Sequence, residues 1–296
     1  MKKSAYKKIE GKLISLVAKN KYVYNLARFI GIYTYKIFNI FNIFIFPKYF
    51  IFKDFNNNEK LLTIKKTGES FYVRKKNFTQ DVLAILANFI NEEYETDFLS
   101  YLDNIKGKIV LDIGAYIGDT AVFFGKKGAS VYAYEPSKEL YEIAKKNIKL
   151  NNIDAKIFNL GIGDKNTNAK ITHNINNIVN CGSFVLFEGQ KALEEKIEKD
   201  RLLLTEEVKI ISLNEVLEQF ETIYLLKMDC EGCEFPSISS VKDENLQKIK
   251  YIIMEVHFMN VFDSNIIISK LNVNNFEVNI DNKNGIYGML YAKNLS

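Results

Sequence analysis

Three places in this chain carry acids in settings that point to chemistry: Asp112, Glu135, and the run Asp229-Cys230-Glu231-Gly232-Cys233-Glu234. Each follows an apolar stretch, so each is expected where a buried strand reaches the rim of a sheet. A carboxylate held there can meet a cation or accept hydrogen bonds from hydroxyls. Asp112 begins the pattern Asp112-x-Gly114-x-x-x-Gly118, at the mouth of a tight turn. Glu135 follows Val131-Tyr-Ala-Tyr about 20 residues later, the distance at which an acid reaches ribose hydroxyls in a doubly wound sheet. His257, just after Glu255-Val256, adds an imidazole whose ordinary pKa near ~6.5 leaves it largely neutral and able to take a proton. It is therefore the first candidate for a general base, ahead of Asp229 and Glu231.

The elements that must position these groups are strand, turn and helix. Ile109 to Ile113 is continuously apolar, like a strand buried on both faces, and Gly114 and Gly118 let a backbone pass close to a ligand. Asp119 or Thr120 is placed to cap a helix through Val122 and Phe124. A turn of this kind at the carboxyl end of a parallel strand is the usual seat of a nucleotide. A dinucleotide wants G-x-G-x-x-G, so that amides and a helix N-terminus meet the pyrophosphate. A carboxylate at the turn suits a cationic ligand better. S-adenosylmethionine carries an ammonium and a sulfonium and no phosphate, with Asp112 beside its methionine end and Glu135 at its ribose. Two solvated surface acids are the blander reading, which the flanking apolar strands disfavour.

The segment VLDIGAYIGDTAVFFGKKGASVYAYEPSKELYEIAKKNIKLN resembles the cofactor half of a class I S-adenosylmethionine-dependent methyltransferase. KMDCEGCEF at Lys227 to Phe235, with Glu255-Val-His257 after it, resembles the signature of the FkbM family. The resemblance runs from about Leu61 to the end of the chain. It implies an α/β fold with a Rossmann-like seven-stranded, mostly parallel sheet in the order 3-2-1-4-5-7-6, its last strand antiparallel. It also implies S-adenosylmethionine as cofactor, with Asp112, Gly114, Ala115, Tyr116, Gly118, Glu135, Pro136, Ser137 and Asp229 around it and Gly163 and Asp164 against the adenine. The activity implied is O-methylation of a sugar, glycan or other hydroxylated metabolite. A similar pre-domain in the family suggests that Phe71, Glu93 and Tyr94 approach the cofactor.

The chain has 296 residues, 47% of them apolar, enough for a large core with an addition or for two small domains. Its net charge of +4 hides an asymmetry: residues 1–53 hold eleven Lys or Arg against Glu10 alone, which leaves the remainder acidic. Tyr6, Ile9, Leu13, Leu16 and Val17 share one helical face while lysines lie off it. Aromatic and β-branched residues then dominate from Phe29 to Phe52, but their longest uncharged run, Ile37 to Pro47, is 11 residues, short of the ~20 that span a bilayer. Two readings stand for residues 1–53: an interfacial membrane segment, or aromatics packed on the catalytic domain or on a second copy. Nucleic acid is not an expected partner, because the aromatics lie apart from the lysines. Three cysteines make no disulfide framework and favour a reducing, cytoplasmic compartment, with membrane association only under the first of the two readings of the basic arm.

The expected organisation is an N-terminal helical extension over 1–56, a boundary at Asn56-Asn57-Asn58, a hairpin-and-helix pre-domain over 57–106, and a methyltransferase domain over 107–296. Within the last, Lys156 to Leu160 is the third strand, Thr222 to Met228 the fourth and Tyr251 to Val256 the fifth. The segment 166–201 reads as a long irregular excursion, a candidate substrate lid. Cys230-x-x-Cys233 also matches half a zinc site, with Cys181, His173 and His257 to complete it, or a redox pair; the blander reading is two small residues packed around a turn, with His173 solvated in a loop. The mechanism that follows is direct displacement with no metal required, although Asp229 and Glu231 could hold one. A nicotinamide oxidoreductase is disfavoured by the missing G-x-G, and a catalytically silent module acting through its basic arm is the remaining alternative.

Overall fold

The polar run Asn56-Asn57-Asn58 is a hairpin turn rather than a domain boundary in the computed structural model, which describes residues 46–90, 104–174, 184–186, 203–257, 264–283 and 287–296. Asn56 Oδ1 accepts from the backbone N–H groups of Asn58 and Glu59, each at 2.8 Å, the local bonding that makes asparagine a turn former. Before the turn lie the short helix α1 (Phe46–Tyr49) and strand β1 (Phe50–Asp54). After it come β2 (Glu59–Ile64), β3 (Ser70–Arg74) and helix α2 (Phe78–Phe89). The strands form an antiparallel meander in a unit that spans Met1–Thr96.

Strand β1 falls within the stretch expected to be a helical extension, and its aromatics explain why. Phe46 and Phe50 are fully buried, and the rings of Phe46, Phe50, Phe52 and Phe78 meet at angles of 61–71° with centroids 5.2–6.3 Å apart. At this end of the aromatic stretch the rings make their own unit's core. A buried ion pair fastens α2 to β3: the Arg74 guanidinium reaches Asp81 at 2.6 Å, and the Arg74 backbone N–H donates to the same carboxylate at 2.7 Å. Phe71 packs against Phe89. The basic helix, most of the aromatic stretch, Glu93 and Tyr94 lie outside the described residues. Among the described residues no helix is long and apolar enough to cross a membrane.

The second unit spans Asp97–Ser296. It runs β4 (Ile109–Ile113), α3 (Asp119–Lys126), β5 (Ser130–Tyr134), α4 (Lys138–Asn151), β6 (Ala155–Phe158), β7 (Gly161–Gly163), β8 (Thr167–Asn174), β9 (Phe184–Leu186) and β10 (Leu203–Ser212). It continues α5 (Leu213–Glu218), β11 (Ile223–Met228), α6 (Glu234–Ser240), α7 (Asp243–Leu246), β12 (Ile249–Val256), α8 (Ser264–Val273), β13 (Phe276–Lys283) and β14 (Tyr287–Asn294). The seven-stranded sheet has the order β6-β5-β4-β11-β12-β14-β13, with β14 antiparallel to both neighbours. Counted along the sheet's own strands, this is the expected 3-2-1-4-5-7-6. The central strands are buried on both faces, as their unbroken apolar runs require. Leu111, Ile113, Leu226, Met228, Ile252 and Met254 belong to one core. Helix α4 buries Leu140, Ile143, Ala144 and Ile148 on one face and turns its lysines outward.

The excursion expected over 166–201 is not irregular at its start. Strand β8 pairs with β10 along its whole length, from Thr167 opposite Ile210 to Asn174 opposite Leu203, in a second sheet of order β7-β10-β8-β9. Ala169, Ile171, Val208 and Ile210 form its small core. His173 is therefore a strand residue, not a loop residue. Residues 175–183 and 187–202 lie outside the described residues, Cys181 with them.

Candidate active site

The carboxyl ends of β4, β5 and β11 meet at one rim of the main sheet, and the turn after β4 is fixed by its own amides. Gly114 and Ala115 each donate a backbone N–H to Tyr134 O at 3.0 Å, and Gly118 donates to Ala115 O at 2.7 Å. Tyr116, in the left-handed region at φ 51°, donates to Glu135 Oε2 at 2.9 Å. The glycines serve the protein rather than a ligand. A Cβ on Gly114 would lie 1.9 Å from the Asp229 carbonyl oxygen, and one on Gly118 would lie 3.0 Å from Ala144 Cα. Gly118 rather than Asp119 or Thr120 is the N-cap of α3. The Thr120 hydroxyl instead donates to Asp112 Oδ2 at 2.6 Å.

Asp112 itself is fully buried beneath the turn. Its Oδ1 stands 3.0 Å from Lys227 Nζ, which also donates to Gly114 O at 2.8 Å. Asp112 and Lys227 are direct cross-strand partners of β4 and β11, so they emerge on the same face. Burial works against the Lys227 charge, but Asp112, then Asp229 and Asp119, outweigh it and raise its pKa above the ordinary value. Asp112 is thus a strut under the turn, where an open partner for a ligand's methionine end was expected. The sequence reading gave Lys227 no role, although one lysine inside the apolar run Ile223–Met228 was the signal.

Glu135 is buried at the end of β5 and bridges two elements: besides Tyr116, it accepts from the Ser137 N–H at 2.9 Å, at the start of α4. Pro136 O accepts from the Asn159 side chain at 2.7 Å. Gly161 packs close to Pro136, so a Cβ there would be 3.4 Å from the proline ring; this brings β7 to the end of β5, with Gly163 buried in the strand and Asp164 exposed just after it.

The turn after β11 is built differently. Asp229 donates its N–H to Ile113 O at 3.0 Å, which locks the two strand ends together. Glu231 takes a left-handed backbone at φ 55° before Gly232 at φ 115°. Glu234, buried to 1% exposure, accepts from the Cys230 and Gly232 N–H groups at 2.9 Å each and holds His257 Nδ1 at 3.0 Å. His257 Nε2 faces Glu231 at 3.5 Å and Asp229 and Glu255 at 3.9 Å each. Burial pushes the imidazole pKa down, but Glu231, Glu234 and Glu255 outweigh it and hold it well above the ordinary value. The sequence reading assumed an ordinary imidazole at His257; the four carboxylates around the ring favour its charged form instead. Glu234 and Glu255 both lie inside the motifs read from sequence, but the sequence reading gave neither a role.

Cys230 and Cys233 are joined in a disulfide across this turn. That overturns the reading of two small packed residues and removes both thiolates from any zinc site. The pairing also weakens the argument for a reducing compartment drawn from the cysteine count.

A seven-stranded 3-2-1-4-5-7-6 sheet with acids at the ends of its first, second and fourth strands defines a methyltransferase-type α/β domain. Residues 112–278 match the family described as the methyltransferase FkbM domain, and the chain belongs to that family. Methyltransferase sdnD of Sordaria araneosa is 25% identical over 195 residues, 58% of this chain and 75% of that protein. Among solved structures, a SAM-dependent methyltransferase from Agrobacterium tumefaciens aligns with TM-score 0.43 at 10% identity, over 82% of this chain and 72% of that one. Magnesium protoporphyrin IX methyltransferase from Synechocystis PCC 6803, with bound SAM, aligns with TM-score 0.39 at 10% identity, over 75% and 98%. The strand order assigns the fold without them.

Proposed function

We propose that this FkbM-family methyltransferase uses S-adenosylmethionine to methylate a hydroxyl of a sugar, glycan or related metabolite. The observation that carries the cofactor is the commitment of the first turn's amides: Gly114, Ala115 and Tyr116 all donate to β5 or Glu135. Those three amides are not left to cradle a pyrophosphate, which counts against a dinucleotide, and the acids Glu135 and Asp229 at neighbouring strand ends favour a cationic ligand. Glu135, at the second strand end, is the acceptor for ribose hydroxyls.

Bound there, S-adenosylmethionine supplies a methyl group on a sulfonium, and transfer forms a C–O bond as the C–S bond breaks with its electron pair on sulfur. The residues of this chain align the acceptor and manage its proton. Asp229 and Glu231 have 32% and 26% of their side chains exposed and stand at the end of β11. One of these carboxylates takes the hydroxyl proton, beside a His257 ring whose charged form the surrounding acids favour. Alignment supplies most of the rate, because the leaving group is good.

Calorimetry of the full-length protein is expected to show S-adenosylmethionine binding that weakens about tenfold in Glu135→Gln, as loss of a charge-assisted hydrogen bond predicts. A tritiated methyl group should pass to hydroxylated acceptors such as lipid-linked sugars. Tight NADH binding with no affinity for S-adenosylmethionine would overturn this reading.

A further inference from the structure

We propose that Asp229, Glu255 and His257 form a divalent metal site at the ends of β11 and β12, which seats the acceptor oxygen beside the transferred methyl. The inference rests on the methyltransferase reading for its role, but not for its geometry. One donor atom from each of the three residues lies within 4.8 Å of the others. His257 Nε2 is 3.9 Å from both Asp229 Oδ1 and Glu255 Oε1, and Glu231 Oε2 stands 3.5 Å from the same nitrogen. Donors on one octahedral ion, about 2.1 Å from its centre, lie about 3 Å apart in cis and about 4.2 Å in trans. The observed spacings fall in or just above that range, so a contraction of less than about 1 Å closes the set.

The imidazole is oriented as a ligand would be. Its Nδ1 faces Glu234 Oε1 at 3.0 Å, and Glu234 is itself fixed by two backbone N–H groups from the β11 turn. With Nδ1 turned to that buried carboxylate, Nε2 faces Asp229, Glu231 and Glu255. A carboxylate behind the histidine is the usual support of a metal-bound imidazole, because it fixes the tautomer and raises the basicity of the other nitrogen. One nitrogen and two or three carboxylate oxygens make a hard donor set, suited to Mn²⁺ or Mg²⁺ and poor for thiophilic ions.

The site is also where the chemistry needs it. The Asp229 backbone touches the cofactor turn at Gly114, so an ion on its side chain lies at the rim shared by both turns. An acceptor hydroxyl bound to the ion is acidified and oriented in one step, and its proton leaves to Glu231 or solvent as the methyl is received.

The test uses the full-length, chelator-treated protein and Mn²⁺ alone. Titration followed by electron paramagnetic resonance is expected to show one saturable Mn²⁺ per chain, with pulsed spectra reporting the coupling of one imidazole nitrogen. Glu255→Gln and Asp229→Asn should each weaken binding at least tenfold, while the surface variant Glu218→Gln should not. Absence of saturable binding, or binding without nitrogen coupling, overturns the proposal on the wild-type protein alone. Mn²⁺ affinity unchanged in both site variants overturns it as well. S-adenosylmethionine binding, measured separately by calorimetry, keeps the two readings apart: Mn²⁺ binding without cofactor binding defeats the methyltransferase reading, and the reverse defeats only the metal.

Discussion

The turns after β4 and β11 leave neighbouring strands at the same rim, and they spend their residues in opposite ways. In the first, glycines allow close approach, the backbone amides are bonded to β5, and Asp112 is sealed under the chain by Lys227 and Thr120. In the second, Glu234 holds the backbone, while Asp229, Glu231 and Glu255 remain partly exposed around an imidazole. The first turn is a shape and the second is a charge distribution. Substitutions in the first should therefore cost the fold, and those in the second should cost binding or turnover.

The sharpest way to break that contrast is Gly114→Ala. A methyl group there would sit 1.9 Å from the Asp229 carbonyl oxygen on a backbone with φ 79°. Overpacking against backbone, together with a left-handed conformation, is expected to cost at least about 3 kcal/mol, or to prevent folding. Urea denaturation measures it. If Asp229→Asn lowers the unfolding midpoint as far, the two turns are not distinct in kind.

Lys227→Met comes next. Removing one member of a buried ion pair leaves Asp112 uncompensated and is expected to cost about 3–5 kcal/mol. The double variant Asp112→Asn with Lys227→Met should recover part of that loss, because neither charge is then stranded. Additive losses would show that the two side chains act independently despite their 3.0 Å separation.

The smallest effect is expected from the disulfide. A bridge that closes so short a loop constrains the unfolded chain little, so Cys230→Ser with Cys233→Ser should lower stability by no more than about 2 kcal/mol. S-adenosylmethionine affinity should stay within a few-fold if the first turn and Glu135 hold the cofactor as proposed. A large loss of cofactor affinity would mean that the second turn shapes the first.

What the sequence made legible follows the same division. Strand β4, the turn glycines, Glu135 and the fourth and fifth strands were readable because buried parallel strands are unbroken apolar runs that end in punctuation. The sheet order came from family resemblance, since periodicity carries no strand order. The pairing of Asp112 with Lys227 was not readable, because it depends on register between strands more than 100 residues apart. Strand β8 was hidden by its composition: Ala169 and Ile171 alternate with polar residues in an Asn- and Lys-rich stretch, which reads as loop until β10 supplies the partner. The surroundings of His257 were not readable either, because its four carboxylate neighbours come from two strand ends and a helix start that only the fold brings together.

The Asp229 carbonyl, lodged where Gly114 has no side chain, has a consequence for divergence among relatives of this chain. A lineage that changes its acceptor cannot do so by sliding the backbone at the end of β11, since that displacement would be transmitted directly to the turn after β4. Novelty must come from exchanging side chains beyond the carbonyl, or from loops attached further away. The contact acts as a fixed anchor point, preserving one reaction while leaving the choice of acceptor open to inheritance.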